Sequence, residues 1–208
     1  MREIIIKNRK ETDVTDEALY ALNKESHRLW AEYGMDAPWM HLSFPEFQQA
    51  IRGVVMFVAL DAETGELLGM HSFRTRRKQG WCYGYRLAVA SSAWREGIAS
   101  RMLAYEVERI RQAGYRYLKG VTGTTAEWSV CWHLRNGYRI VGYYRVPNNN
   151  FANYVFRKQL APSILWGPML GPLTARMSFA ASWLVNHLLK HSDGRDNLMG
   201  SVVRRIIH

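Results

Sequence analysis

The sequence predicts an α+β domain of about seven strands and four helices, followed by a helical C-terminal extension. Two observations predict the domain: short apolar runs rich in β-branched residues, typical of strands, and segments whose apolar residues recur every three or four positions, typical of helices. A third predicts the boundary. Beyond Ala161-Pro162 the composition changes to Trp, Leu, Met, Gly and Pro. We therefore expect a domain at 1–160 and an extension at 161–208.

The first half of the chain combines helix-start and turn signals. Ser43-Phe44-Pro45-Glu46 is a capping box with proline in the first turn, and Gly34 is placed to end the preceding helix. The residues from Asp61 to Gly65 are typical of a turn and predict a hairpin. The predicted elements are a strand at 3–7, helices at 16–33 and 43–51, and strands at 54–60, 66–74 and 81–89.

The second half changes from strand-like to helical periodicity after Gly97. Apolar residues from Ile98 to Ile110 recur at helical spacing, and Gly114 follows as a stop signal. The predicted elements are a helix at 98–113, a strand at 117–121, a helix at 127–135, and strands at 138–145 and 152–159.

A strand, a short loop and a helix start fall together at 87–100. Free backbone N–H groups and the positive end of a helix dipole favour a phosphate group. The small residues Gly97, Ala99 and Ser100 allow a pyrophosphate to approach that backbone closely. Alone, such a helix start is a weak signal, because many helices begin this way for packing reasons.

This segment resembles the acyl-CoA signature of the GNAT superfamily of N-acetyltransferases. That signature is a Leu-x-Val strand followed by a loop of the form Arg/Gln-x-x-Gly-x-Gly/Ala. Leu87 and Val89 match the strand, and Gly97 and Ala99 match the last two loop positions. Trp94 stands where Arg or Gln is usual, so the backbone, not that side chain, is expected to contribute most to phosphate binding.

A second resemblance lies at 129–138, which is similar to the GNAT helix that ends before a Gly-Phe pair. Ser129 matches its small residue, and Gly137-Tyr138 matches the pair. His133 occupies the position where many members carry a tyrosine that protonates the leaving CoA thiolate. The two motifs occur in the expected order, and the element order over 1–160 also agrees with the family.

The resemblance implies a mixed, mostly antiparallel, twisted sheet flanked by helices. The strand ending at Val89 would separate from the strand at 117–121, and the pantetheine arm of acetyl-CoA or another acyl-CoA would lie in the gap. The residues implied in CoA binding are Leu87, Ala88, Val89, Arg95, Glu96, Gly97, Ile98, Ala99, Ser100, Ser129 and His133.

Three residues are candidates for acid–base chemistry. Tyr83 occupies the position at which some members place a glutamate base, and Glu127 precedes the second motif helix. His133 suits protonation of the thiolate, since histidine titrates near neutral pH. The alternative is that His133 only packs on, or hydrogen-bonds to, bound CoA. No Ser-His-Asp or Cys-His pattern is evident, and no metal is expected.

The expected function is transfer of an acetyl or similar group from acyl-CoA to a small-molecule or peptide amine, by direct attack in a ternary complex. Residues 16–51 and the loop around Pro147 are expected to choose the acceptor. A non-catalytic acyl-CoA sensor or scaffold is the alternative. A formal net charge of +10 and the basic turn at 74–78 favour nucleic-acid binding in principle, but no recognised module is present.

The remaining expectations concern location and the extension. Cys82 and Cys131 lack metal or redox spacing, and the first residues lack a signal-peptide core, so a cytoplasmic protein is expected. The extension carries a helical apolar stripe, too short and interrupted for a membrane span. It is expected to pack on the domain or form a homodimer, with a membrane surface as the alternative. His187 and His191 have a spacing that can bind metal but lack a third ligand, so they are interpreted as ordinary helix residues.

Overall fold

The computed structural model describes residues 2–146 and 149–160. Its strands are β1 (Ile4–Asn8), β2 (Val55–Asp61), β3 (Leu67–Arg76), β4 (Trp81–Val89), β5 (Tyr117–Gly123), β6 (Arg139–Arg145) and β7 (Ala152–Gln159). Its α-helices are α1 (Asp16–Glu32), α2 (Phe44–Ile51), α3 (Ile98–Gln112) and α4 (Glu127–Arg135). The predicted domain elements are confirmed, with boundaries that differ by at most two residues. The C-terminal extension lies outside the described residues.

The seven strands form one sheet in the order β1-β2-β3-β4-β5-β7-β6. Neighbours are antiparallel except for β4 and β5, which run parallel. Parallel neighbours need a long crossover, and α3 supplies it. The predicted mixed, mostly antiparallel sheet is therefore confirmed.

Helices cover both faces of this sheet. On one face, which we call the α1/α2 face, Leu19 and Phe47 pack with Met70 and Ala88. On the other, the α3/α4 face, side chains from both helices pack on the strands: Leu103, Ile110, Val130 and Leu134 meet Phe73, Cys82 and Leu118. Successive strand residues point to opposite faces, so each strand contributes to both cores.

The parallel pair β4 and β5 separates after three residues. Pairing begins at Trp81 with Tyr117 and ends at Tyr83 with Lys119, although both strands continue further. The register of β4 against β3 also shifts in this region, and Arg86 has a left-handed backbone with φ 53°. An extra residue of this kind bends a strand. The separation implied by the family resemblance is therefore present.

The predicted capping box at the start of α2 is also present. The Ser43 N–H donates to Glu46 Oε2 at 2.8 Å, and the Ser43 hydroxyl donates to the same oxygen at 2.6 Å. Within residues 2–146 and 149–160, no helix has both the length and the apolar character needed to cross a membrane.

Candidate active site

A cleft of about 1070 Å³ opens where β4 and β5 separate. It extends from the start of α3, through the gap between the strands, to the side chains of α1 on the opposite face. Every residue implied in CoA binding lines it except Glu96. The two sequence motifs, distant along the chain, are therefore brought together in one cavity.

The start of α3 provides the backbone donors that a phosphate group needs. Gly97 is the N-cap, with φ 77°, and no side chain caps this end. The first hydrogen bond into the helix runs from the Arg101 N–H to the Gly97 carbonyl at 3.0 Å. The N–H groups that precede Arg101 in the helix therefore have no carbonyl one turn earlier to accept them. Arg95 also has a left-handed backbone, with φ 66°. Where right-handed and left-handed residues alternate, successive N–H groups point toward one anion.

The end of β4 presents its backbone to the same cleft. The Ala90 N–H donates to Leu68 of β3 at 2.9 Å, so the peptide groups of Val89 point to the opposite side, into the gap. The Trp94 indole N–H donates to the Val89 carbonyl at 2.8 Å. Trp94, which departs from the family signature, therefore fixes the loop against β4 instead of reaching a phosphate.

Two glycines lie where the strands separate, and an imidazole occupies the space beside each. A Cβ atom on Gly84 would lie 2.9 Å from Nε2 of His71, and one on Gly120 would lie 3.1 Å from Nε2 of His133. Both histidines line the cleft. Both imidazoles lie close to the point where β4 and β5 diverge, on the α3/α4 face.

The hydrogen bonds of His133 fix its tautomer. Its Nδ1 lies 2.8 Å from the Ser129 carbonyl. A carbonyl only accepts, so Nδ1 carries the proton and Nε2 carries a lone pair. Burial lowers the pKa of His133 to about 4, and its ring stacks on Phe156 with centroids 4.5 Å apart. Near neutral pH, Nε2 can accept a hydrogen bond from a ligand but has no proton to donate to a thiolate.

His71 forms a buried pair that the sequence analysis missed. Its Nδ1 lies 2.8 Å from Glu106 Oε2; His71 is 5% exposed and Glu106 is completely buried. The other carboxylate oxygen, Oε1, has no hydrogen-bond partner among the described residues. One sequence signal could have found the pair: Glu106 falls between Met102 and Ile110 on the apolar stripe of α3, where an unpaired charge is costly.

Tyr83 and Glu127, the other two acid–base candidates, lie in different surroundings. Tyr83 lines the cleft and stacks on Tyr85, with centroids 5.8 Å apart. Burial raises the pKa of Tyr83 to about 12, so its phenol is neutral near pH 7. Glu127 begins α4, is exposed, and is not among the residues that line the cleft. The structure brings Tyr83 and His133 into the cleft and leaves Glu127 outside.

The cleft wall carries positive charge without negative charge. Its charged residues are Arg86, Arg95, Lys119 and Arg135, and no Asp or Glu lines it within the described part of the chain. Uniform charge in a cleft with apolar walls raises the local concentration of ligands of opposite sign. The site is therefore suited to an anionic ligand such as a polyphosphate.

Comparisons with known proteins agree with this geometry. The family model described as "Acetyltransferase (GNAT) family" matches residues 17–138. No curated protein matches the sequence. Among solved structures, the chain is similar to the ribosomal-protein-S18-alanine N-acetyltransferase of Escherichia coli, with 13% identity, a TM-score of 0.60, and coverage of 77% of this chain and 96% of that one.

Two further solved structures show the same fold. A GCN5-related N-acetyltransferase from Kribbella flavida has 15% identity and a TM-score of 0.58, with coverage of 75% of this chain and 97% of that one. An N-acetyltransferase from Staphylococcus aureus Mu50 has 18% identity and a TM-score of 0.56, with coverage of 76% and 99%. The likeness therefore extends over nearly the whole of each of these proteins.

Proposed function

Because this chain belongs to the GNAT acetyltransferase family, we propose that it transfers an acetyl or similar acyl group from acyl-CoA to an amine bound in the same cleft. The observation that carries the proposal is the gap between β4 and β5, which leads directly to the uncapped start of α3. A thioester arm fits the gap, and a pyrophosphate fits the helix start.

Binding would depend mainly on backbone groups. The N–H groups of residues 95–100 would hold the pyrophosphate, and the peptide groups of Leu87 and Val89 would hold the pantetheine amides. His133 would accept a hydrogen bond through Nε2. Holding two reactants in one cleft removes much of the entropic cost of their meeting, so no covalent intermediate on the protein is needed. Burial raises the pKa of Cys82 to about 12, which makes that thiol a poor nucleophile.

Proton transfer is assigned to His71. The amine nitrogen attacks the thioester carbonyl carbon, the C–S bond breaks, and one proton must move from nitrogen to sulfur. Nε2 of His71 faces the point where the strands separate and can take that proton and pass it to the thiolate. Glu106 acts as a positioning residue, since its bond to Nδ1 fixes the tautomer and stabilises the imidazolium.

A non-catalytic acyl-CoA-binding module is the second candidate. The neutral Tyr83 at the position of a family base, together with the neutral His133, favours it. Both candidates predict acyl-CoA binding, and release of free thiol in the presence of an amine separates them.

The experiment is titration calorimetry with acetyl-CoA on the wild type, Gly97→Trp and Gly53→Trp. Both glycines have positive φ, 77° and 72°, with no atom within 4 Å of an added Cβ, so backbone strain is matched. We expect micromolar-range binding (about −8 kcal/mol) that is lost in Gly97→Trp and kept in Gly53→Trp. Wild-type protein that binds no acetyl-CoA would exclude both functions.

A further inference from the structure

Arg86 lies in the cleft with aromatic neighbours and no acidic one. Its guanidinium carbon lies 5.1 Å from the Tyr85 ring centre and 5.9 Å from that of Phe47. Burial is the main cause that lowers its pKa. No ion pair joins it to a carboxylate within the described part of the chain. Arginine is rarely buried without a partner, and an anionic ligand in the cleft would supply one.

The backbone of Arg86 supports a functional role for this side chain. Its φ of 53° is left-handed, a conformation that is unfavourable for a residue with a Cβ. Glycine or asparagine would adopt it at lower cost. Strain of this kind concentrates at binding and catalytic sites.

A second guanidinium lies near the same ring, although its residue is not among those that line the cleft. The guanidinium carbon of Arg74, from β3, lies 5.2 Å from the Tyr85 ring centre. Arg74 also forms no ion pair with a described acidic residue. A carboxylate matches the planar donor fork of a guanidinium.

An aromatic wall, made of Trp30, Tyr33, Trp39 and Trp128, lines the cleft beyond these charges. The Trp30 ring centre lies 5.6 Å from that of Trp39 and 5.5 Å from that of Trp128. Tyr33, Trp39 and Trp128 are 54%, 37% and 38% exposed. A cluster of exposed large rings in a cleft marks a surface for an apolar partner.

Arg86 and the aromatic wall line the same cleft. His27 contacts Trp39, with ring centres 5.0 Å apart. Burial lowers the pKa of His27 to about 4, and the charge of Arg86 contributes to that shift. The guanidinium and the rings can therefore contact different parts of one small molecule.

The charges of the cleft also exclude one class of acceptor. A polyamine or another cationic acceptor would meet arginine and lysine without a compensating carboxylate among the described lining residues. The positive charges that line the cleft also disfavour the ammonium form of a bound amine, so they favour the neutral, nucleophilic form.

We infer that the acceptor is an amine that carries a carboxylate and an aromatic or large apolar body, of the class of aromatic amino acids. Arg86 binds the carboxylate, and the aromatic wall binds the body. This inference rests on the proposed acyl transfer and adds the substrate class of the same site.

The test measures free-thiol release from acetyl-CoA with four amines: phenylalanine, 2-phenylethylamine (without the carboxylate), alanine (without the ring) and spermidine. We expect kcat/KM for phenylalanine to exceed that for each of the others at least about tenfold, the effect of one charge-assisted hydrogen bond. Arg86→Gly relieves the backbone strain. It should lose the preference for phenylalanine because kcat/KM falls for phenylalanine and not for the other three amines. Arg52→Gln, an exposed arginine after α2, is the control. Arg86→Asn replaces Arg86→Gly if the glycine variant does not fold.

The results distinguish failure of the proposed acceptor class from failure of acyl transfer itself. A 2-phenylethylamine rate equal to that of phenylalanine, or an unchanged preference in Arg86→Gly, would overturn the inference. Acetyl-CoA binding in the calorimeter without thiol release from any of the four amines would also overturn it and leave cofactor binding standing. Absence of acetyl-CoA binding would overturn the proposed function as well.

Discussion

At the scale of single residues, the chemistry of the cleft depends on which imidazole nitrogen remains free. His133 and His71 each use Nδ1 for a structural bond and turn Nε2 toward a glycine. Their partners differ: Nδ1 of His133 donates to a carbonyl and burial keeps that ring neutral, whereas Nδ1 of His71 lies beside a carboxylate. The side chain that a motif points to and the side chain that we propose for proton transfer are therefore different residues.

His71→Gln should lower kcat/KM by about 10²–10³, the usual contribution of general acid–base catalysis, and Glu106→Gln should lower it less. Glutamine cannot relay a proton, so the pH dependence of the rate should change in His71→Gln, while the acetyl-CoA Kd stays within about twofold. Steady-state rates across pH with the acceptor in use provide the measurement. His41→Gln, whose side chain is 67% exposed, is the control. A pH profile identical to the wild type would remove His71 from the mechanism.

At the scale of secondary-structure elements, two strands that separate create the site. β4 has a bulge at Arg86, and glycines at 84 and 120 leave room for the histidines. Successive residues of a strand point to opposite faces of the sheet. Gly84 therefore lies on the α3/α4 face, and the stacked Tyr83 and Tyr85 lie on the α1/α2 face. One short stretch of β4 thus lines the cleft from both faces of the sheet.

Gly84→Ala should disturb this arrangement without disturbing the sheet. The added Cβ would lie 2.9 Å from His71 Nε2, so the imidazole must move. A displacement near 1 Å is expected to lower turnover by about tenfold or more. Gly142→Ala is the matched control, since its Cβ would meet Val155 at an ordinary 3.5 Å. Thiol release and circular dichroism on both variants test this, and equal turnover would show that the position of His71 is unimportant.

At the scale of the whole molecule, buried histidines link stability to pH. Burial lowers the pKa of both His27 and His133 to about 4. Below the unfolded value near 6.5, the unfolded chain binds protons that the folded chain does not. The free energy of unfolding therefore falls as pH drops from about 6.5 toward 4, by about 2 kcal/mol per histidine between pH 7 and pH 5.

Denaturant unfolding at pH 7 and pH 5 measures this loss. In His133→Phe, the difference between the two pH values should shrink by about 2 kcal/mol, because His27 still contributes. If His133→Phe loses as much stability between pH 7 and pH 5 as the wild type does, His133 is not held neutral in the folded protein.

The expectations for 161–208, including the homodimer and the histidines at 187 and 191, concern residues outside those the structure describes. They stay predictions, as does the cytoplasmic location. The expectation that nucleic acid is not a partner also stays a prediction.

The separation of β4 and β5 was expected only from the family resemblance, whereas the sequence by itself determined the order of the elements and the helix start at Gly97. These features are encoded locally, in hydrophobic periodicity, turn residues and two short motifs. Only the tertiary structure decided the site's chemistry. His71 and Glu106 meet across 35 positions of chain, and Arg86 is recognisable as unpaired only when its spatial neighbours are known. Burial and pairing depend on contacts between distant segments, and no local pattern specifies those contacts.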